Sequence, residues 1–340
     1  MSPLLQNYSD QDQFQFSIVI PLGDRLTDLE KCIASICQQQ HQGQTEILLL
    51  DDASQTFNLQ DLELIFEQYS VYLNPEKYTI HYIRHPQCLG EYANLNWGLK
   101  CANSPWIYFV CDDNLLLENT LLWFEEIIEK QPSLDLISGA FYTINKTDEI
   151  LEKSEFLANS GLVDQGFLNR FLAENPLQSI ATIYHKRLFK KIGYFNLDLG
   201  KLADWEFYRR VTKIRGLNWY YLPQYIGAYR QEPMLKSPLA TINVSDKAVW
   251  QVLKLSQKYF SPVEQRISRK SRYWQCFGAV DGYFIAGQID QAISICLGLV
   301  DFSGLGDRLW LEVLNQYDFK YKQQIYELML ILTKQVAEAS

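Results

Sequence analysis

The chain has 340 residues, 47% hydrophobic and 14% aromatic, which is enough for a large core and more than one compact unit and excludes a disordered chain. Its 40 acidic residues against 31 basic ones exclude nonspecific attraction to nucleic acid or to an anionic membrane. A polyanionic ligand would need local help, from a cation or a basic pocket.

Met1 to Gln15 is a polar tail without the basic start and apolar run of a secretory signal. No later stretch reaches the roughly 20 apolar residues of a membrane-spanning helix, so a cytoplasmic chain with at most peripheral membrane contact is expected. From Phe16 to about Ala140, short apolar runs alternate with segments of helical spacing, the pattern of an α/β domain with a mostly parallel sheet. Phe16 to Ile20 predicts the first strand, and Leu29, Ile33 and Ile36 predict a helix behind it. Glu46 to Leu50 and Tyr78 to Ile83 read as strands, followed by a helix on Tyr92, Leu95 and Leu99. Trp106 to Cys111 is the next strand, and Leu121, Phe124 and Ile128 mark a helix whose Glu125, Glu126 and Glu129 are expected in water. Asp135 to Ser138 closes the series. These strands are mostly too apolar to have one wet face. A mixed region to about Pro238 holds a predicted strand, Ile180 to Tyr184, and a predicted helix, Asp204 to Ile214. From about Asn243 onward the pattern is helical, and Trp274, Phe277, Gly278, Gly287 and Ala292 read as an ordinary helical hairpin.

Two acidic clusters follow strands directly, Asp51 with Asp52, and Asp112 with Asp113. In an open parallel sheet the ligand crevice lies beyond the carboxyl ends of the strands, so both clusters should open onto it. A carboxylate there can accept hydrogen bonds from a nucleoside, and another can bind a hard divalent cation that neutralises a diphosphate. Taken singly, each cluster is better explained by turns and helix caps.

Read in order, the blocks resemble glycosyltransferase family 2. They are Phe16 to Pro21, Leu29 to Gln39, Glu46 to Ser54, Gly90 to Asn96, Trp106 to Leu121, Ile180 to Phe195, Leu202 to Glu206 with Arg209, and Leu222 to Arg230. The resemblance implies an α/β nucleotide-diphospho-sugar transferase fold of GT-A type, with a mixed, mostly parallel sheet flanked by helices and a helical C-terminal extension. It divides the chain into the tail (1–15), a transferase domain (16–238, with a nucleotide-binding half to 115 and an acceptor half after it) and a helical accessory segment (239–340). By the same resemblance Pro21, Asp52, Asn96 and Asp112 serve the donor, Asp52 on the base and Asp112 on ribose or metal. Asp113 is the metal carboxylate for Mn²⁺ or Mg²⁺, and Asp204 the catalytic base of an inverting transfer. The implied donor is a nucleotide-diphosphate sugar, by family frequency a uridine one, and the sugar moved a hexosyl or N-acetylhexosaminyl group. The acceptor would be a hydroxyl of a glycan, lipid or protein.

The chain departs from the family pattern twice. The first acid of the aspartate-any-aspartate signature falls on Cys111, a soft ligand ill suited to Mg²⁺ or Mn²⁺. The histidine that often follows the Tyr-Arg block by two residues is Glu232. Both departures favour a second reading, an inactive transferase-like binding or scaffold protein. Two other enzyme classes fit poorly. Pro21 to Leu26 offers one glycine and one arginine, too little for a nucleotidyltransferase phosphate loop, and no dinucleotide-binding glycine motif follows any strand.

The remaining polar residues read locally. Asp204 also suits a helix N-cap before Trp205. Glu206 and Arg210 are spaced to pair on one helix, while Arg209 is open between an inward role near phosphate or acceptor and surface solvation. His41, His81, His85 and His185 read as structural, because the strand around His81 and Pro86 after His85 rule out a helical metal pair. The run Arg266, Arg269, Lys270 and Arg272 reads as a solvated helix face, and Trp250, Tyr259 and Trp274 as core. The seven cysteines, Cys32, Cys37, Cys88, Cys101, Cys111, Cys276 and Cys296, are odd in number and lack zinc-site pairing, so buried free thiols in a reducing compartment are expected.

Overall fold

The computed structural model describes residues 5–6, 14–231, 252–255, 257–303 and 307–339. Glu232 and Trp250 lie outside the described residues. The chain forms two compact units. The first takes residues up to Leu168, then Asn175–Phe207 and Ile214–Glu232; the second takes Asn169–Glu174, Tyr208–Lys213 and everything from Pro233.

The first unit is built on a sheet with eleven strands among the described residues. In chain order they are β1 (Leu5–Gln6), β2 (Phe16–Leu22), β3 (Thr45–Asp51), β4 (Tyr78–Arg84), β5 (Trp106–Phe109) and β6 (Leu115–Leu116), then β7 (Leu136–Ile144), β8 (Ile150–Lys153), β9 (Gly161–Leu162), β10 (Thr182–His185) and β11 (Trp219–Arg230). Their spatial order is β1-β4-β3-β2-β5-β10-β7-β11-β6, with β8 added to β7 and β9 to β11. From β1 to β5 every pairing is parallel; β10 then runs antiparallel between β5 and β7. This is the mixed, mostly parallel α/β sheet that the apolar runs call for. All seven residues of β3 are buried, so the strand has no wet face.

Helices α1 (Leu26–Cys37), α2 (Leu59–Gln68), α3 (Glu91–Cys101) and α4 (Thr120–Lys130) link these strands. α1 turns Leu29, Ile33 and Ile36 inward, the stripe the sequence predicts, with Cys32 beside them. α2 begins with a reciprocal capping box between Asn58 and Asp61. α3 lies so close to the sheet that a β-carbon on Gly98 would stand 2.5 Å from Val19 Cγ1 and 2.6 Å from Leu50 Cδ1. Only glycine permits that approach. In α4 the expected solvent position of Glu125 is corrected. Its carboxylate is buried and accepts the amides of Gln42 and Gly43 at 2.9 Å each, serving an otherwise unpaired loop.

Short helices α5 (Gln165–Arg170) and α6 (Arg187–Ile192) precede α7 (Ala203–Val211), and α8 (Pro262–Ile285), α9 (Ile289–Ser303), α10 (Leu309–Gln316) and α11 (Lys322–Ala339) follow. The last four make the C-terminal region helical, as expected. In the second unit Arg209 is buried and donates to the carbonyls of Phe171 and Leu172 at 3.1 and 2.9 Å and to Ser268 Oγ at 3.3 Å. Its guanidinium lies 4.3 Å from the Phe260 ring centre. Arg209 is thus an internal tie, turned inward rather than solvated.

The basic run is in part the solvated face expected, with Arg266 54% exposed, but it is paired and Arg272 departs from it. Arg266 and Lys270 pair with Glu312, Arg269 pairs with Asp307, and Arg272 is buried. Tyr259 and Trp274 are exposed rather than core. Cysteine burial is mixed. Cys32, Cys37, Cys276 and Cys296 are buried, Cys101 and Cys111 are half-buried, and Cys88 is exposed. Among the described residues no helix is long and apolar enough to cross a membrane.

Candidate active site

The strand order reverses between β2 and β5, which places the crevice of the parallel half at their carboxyl ends. The two strands pair only from Phe16 to Val19, so Pro21 sits where they part. Across this gap the Gly23 amide donates to Asp112 Oδ2 at 2.6 Å. The Arg25 guanidinium donates to Asp112 Oδ1 at 2.5 Å and also to Asp113 Oδ2. One arginine therefore bridges both acids that follow β5. Asp24, between these two donors, accepts the amides of Thr56 and Gln55, which ties the β2 loop to the β3 loop and holds its carboxyl below the ordinary range.

At the end of β3 the neighbouring aspartates divide their work. Asp51 is fully buried and accepts Ser54 N at 2.7 Å, the Tyr82 hydroxyl at 2.5 Å and Arg84 Nη1 at 2.7 Å, so it fixes the turn. Asp52 reaches the other way, accepting Leu89 N at 2.6 Å, Gly90 N at 2.9 Å and Cys88 Sγ at 3.1 Å. Gly90, at φ +87°, is the entry residue of α3, so Asp52 sets where that helix starts. Asn96, further along α3, exchanges both ends of its amide with the Phe195 backbone, at 2.9 and 3.0 Å.

Burial pushes the Asp112 carboxyl up to about 6, with Arg25 and the Gly23 amide pulling against it. Asp113 is raised for the same reason, again opposed by Arg25. Burial and nearby acids drive the Cys111 thiol far above its ordinary value, so it stays protonated and offers a hard cation nothing. Arg230 holds this turn from β11. Its amide donates to Asn114 Oδ1 at 3.0 Å, its Nε to the Asp113 carbonyl at 2.8 Å, and its Nη1 to the Asn145 carbonyl at 2.6 Å.

Asp204 lies in the first turn of α7, one residue inside it, and so is not the N-cap that local sequence suggests. Its Oδ1 accepts the Trp205 amide at 2.6 Å and its Oδ2 accepts Asn175 Nδ2 at 2.8 Å. Burial raises this carboxyl to about 7, and the charge of Glu91 adds to the shift. The Tyr92 hydroxyl meets the Asp204 backbone and is itself raised by burial and by the charges of Asp204 and Glu91. Tyr229 is raised by burial first and then by Asp113, Cys111, Glu91 and Asp204. Tyr229 thus sits within the fields of both the strand-end acid and the helix acid.

Arg25, Glu91, Tyr92, Asn175 and Tyr229 were not picked out as site residues by the sequence argument. Arg25 had a readable signal, as the single cation directly after the first strand. The others come from separate elements and meet only on folding. His41 bonds Thr45 at 2.8 Å and is lowered to about 3 by burial, His85 bonds Asn94 at 2.9 Å, and His185 is lowered to about 4, again by burial first.

The arrangement can receive a cation at Asp112 and Asp113, since a guanidinium already lies there, and a proton at Asp204. Among the described residues no group of three His, Cys, Asp or Glu side chains stands together as a metal cage. A divalent ion would therefore draw on one or two carboxylates and take its other oxygens from substrate phosphate and water, a habit of Mg²⁺ sites.

The chain is similar to the PGL/p-HBAD biosynthesis glycosyltransferase of Mycobacterium bovis, 28% identical over 217 residues that cover 64% of this chain and 77% of that protein. Its fold is similar to S. aureus TarS 1-349 in complex with UDP-GlcNAc, with a TM-score of 0.63, 16% identity, and coverage of 96% of this chain and 92% of the other. It is also similar to the mannosyltransferase PcManGT from Pyrobaculum calidifontis in complex with GDP-Man and Mn²⁺, with a TM-score of 0.52, 12% identity, and coverage of 98% and 89%. These likenesses show the GT-A type fold. The pattern of the family described as glycosyl transferase family 2 matches residues 17–193, more than half of the 340, and the chain belongs to that family.

Proposed function

We propose that the protein transfers a sugar from a nucleotide-diphosphate donor to a hydroxyl acceptor, with inversion at the anomeric carbon. The observation that carries this reading is the meeting of the β2 loop with Asp112 and Asp113 at the point where strand order reverses. Asp52, Asp112 and Pro21 line the donor side, and Asn96 acts by holding Phe195 against α3. UDP-sugars are the first donors to try, since TarS was solved with UDP-GlcNAc. The moved group is then a hexosyl or N-acetylhexosaminyl unit, and the acceptor a glycan, lipid or protein hydroxyl. The mostly buried free thiols fit a cytoplasmic, reducing setting.

Asp113, half-buried beside Arg25, is the carboxylate for Mg²⁺ or Mn²⁺, with Asp112 next to it. When bound, the ion supplies charge stabilisation to the leaving diphosphate. Asp204 accepts the proton as the acceptor oxygen attacks, and a carboxyl held near 7 is well matched to that task. Asn175 and the Trp205 amide keep its oxygens oriented.

A second reading, a nucleotide-sugar-binding protein without catalysis, is favoured by Cys111 in an acid's place and by Arg25 lying across the two acids. Thermal melting with Mn²⁺ plus uridine, guanosine or deoxythymidine diphosphate tests the donor site, because ligand binding to the folded state raises the melting temperature. No shift with any of the three sinks it. Donor turnover with Mn²⁺ that Asp113→Asn and Asp204→Asn both abolish separates the enzyme from the binding protein.

A further inference from the structure

Arg25 lies across both acids that follow β5. Among the described residues its guanidinium hydrogen bonds run to two carboxylates alone, Asp112 and Asp113, although its side chain is 46% exposed. It is the entry residue of α1 and makes no side-chain cap bond there, so the helix does not need its guanidinium. Burial leaves Asp112 only 1% exposed, with its other oxygen on the Gly23 amide. Arg25 is therefore free to leave, while Asp112 is held in place by burial and by the Gly23 amide.

We propose that Arg25 is an internal competitor for the divalent ion, holding Asp112 and Asp113 until a nucleoside diphosphate arrives to receive its guanidinium. This inference rests on the reading of Asp113 as metal carboxylate. The charge balance supplies the logic. An ion arriving alone must push a tethered guanidinium off two carboxylates into water, losing a forked, charge-assisted pairing. An ion arriving with a diphosphate offers that guanidinium a new anion on which its fork fits equally well. The ion and the diphosphate then bind with positive coupling, and the coupling is reciprocal. Part of it is the direct contact of ion with phosphate, and the rest is the arginine.

The experiment measures Mn²⁺ binding to the full chain by the loss of the free-ion paramagnetic resonance signal. Wild type and Arg25→Gln are compared with Mn²⁺ alone and with Mn²⁺ plus uridine, guanosine or deoxythymidine diphosphate, and melting curves confirm that both are folded. Arg25→Gln is expected to bind Mn²⁺ alone about tenfold more tightly than wild type. The gain that diphosphate brings to Mn²⁺ binding should shrink by a similar factor in the variant. Arg25→Lys, which keeps the charge but loses the fork, should fall between the two. Equal binding of Mn²⁺ alone by wild type and Arg25→Gln, with diphosphate still tightening both, overturns the role of Arg25 and leaves the donor site standing. Absence of Mn²⁺ binding in every condition overturns both, because then Asp113 holds no ion.

Discussion

Asp112 and Asp113 meet a guanidinium, whereas Asp204 meets only uncharged donors among the described residues, the Asn175 amide and the backbone of Trp205. Burial raises all three carboxyls. At the strand end Arg25 opposes that shift, and the acids remain ready for positive charge. At the helix only neutral hydrogen bonds oppose it, and Asp204 settles near 7. The same residue type faces a fixed positive charge in one place and only neutral donors in the other, and the neighbours set the difference.

The sharpest way to break this contrast is Asp204→Asn. It removes the proposed proton acceptor and leaves the strand-end pair intact, so kcat should fall roughly 10²- to 10⁴-fold with little change in the melting shift produced by Mn²⁺ and nucleoside diphosphate. Stability should move the other way. The folded carboxyl titrates near 7 against an ordinary 3.8, so its contribution to stability is complete below about pH 4 and is lost as pH rises through 7. At pH 8 the variant is expected to be more stable by on the order of 2 kcal/mol, read from denaturant melts, and the gain should vanish near pH 4. A variant that loses both activity and stability at pH 8 would make Asp204 a structural residue.

Next in size is a control on the same helix. Arg209→Met should cost about 2 kcal/mol or more by removing a buried charged donor from the Phe171 and Leu172 carbonyls, while donor binding by the remaining folded protein stays as it was. A selective loss of donor affinity without loss of stability would return Arg209 to the site.

The fold was legible because its signals are local. The apolar runs ending at Ile20, Leu50 and Cys111 and the stripes on Leu29, Ile33 and Ile36 are properties of neighbouring residues, and the structure builds strands and α1 on them. The acids at strand ends were visible for the same reason. What surrounds them was not. Arg25 pairs with residues 87 and 88 positions away, and Asn175 with one 29 positions away, so no periodicity announces either contact. Glu125 was misread because helical spacing alone cannot show that the Gln42 and Gly43 amides would need it. Charged side chains follow unpaired backbone groups, and those are known only once the chain has folded.

The smallest predicted effect tests the electrostatics of Asp204 from two sides. Glu91 raises its carboxyl through like charge, and the Asn175 amide lowers it by bonding the ionised form. With Asp204 as the proposed base, activity should rise with pH through about 7. Glu91→Gln removes a repelling charge, which makes ionisation easier and should move that limb to lower pH. Asn175→Ala removes a donor to the carboxylate, which makes ionisation harder and should move it to higher pH. Each displacement is expected to be at most about one pH unit, since each substitution alters one of several interactions. The paired measurement is stronger than either variant alone, because a general loss of packing would lower the plateau rate without moving the limb in opposite directions. Two limbs moving together, or a limb that moves in neither variant, would mean that a group other than Asp204 sets the pH dependence.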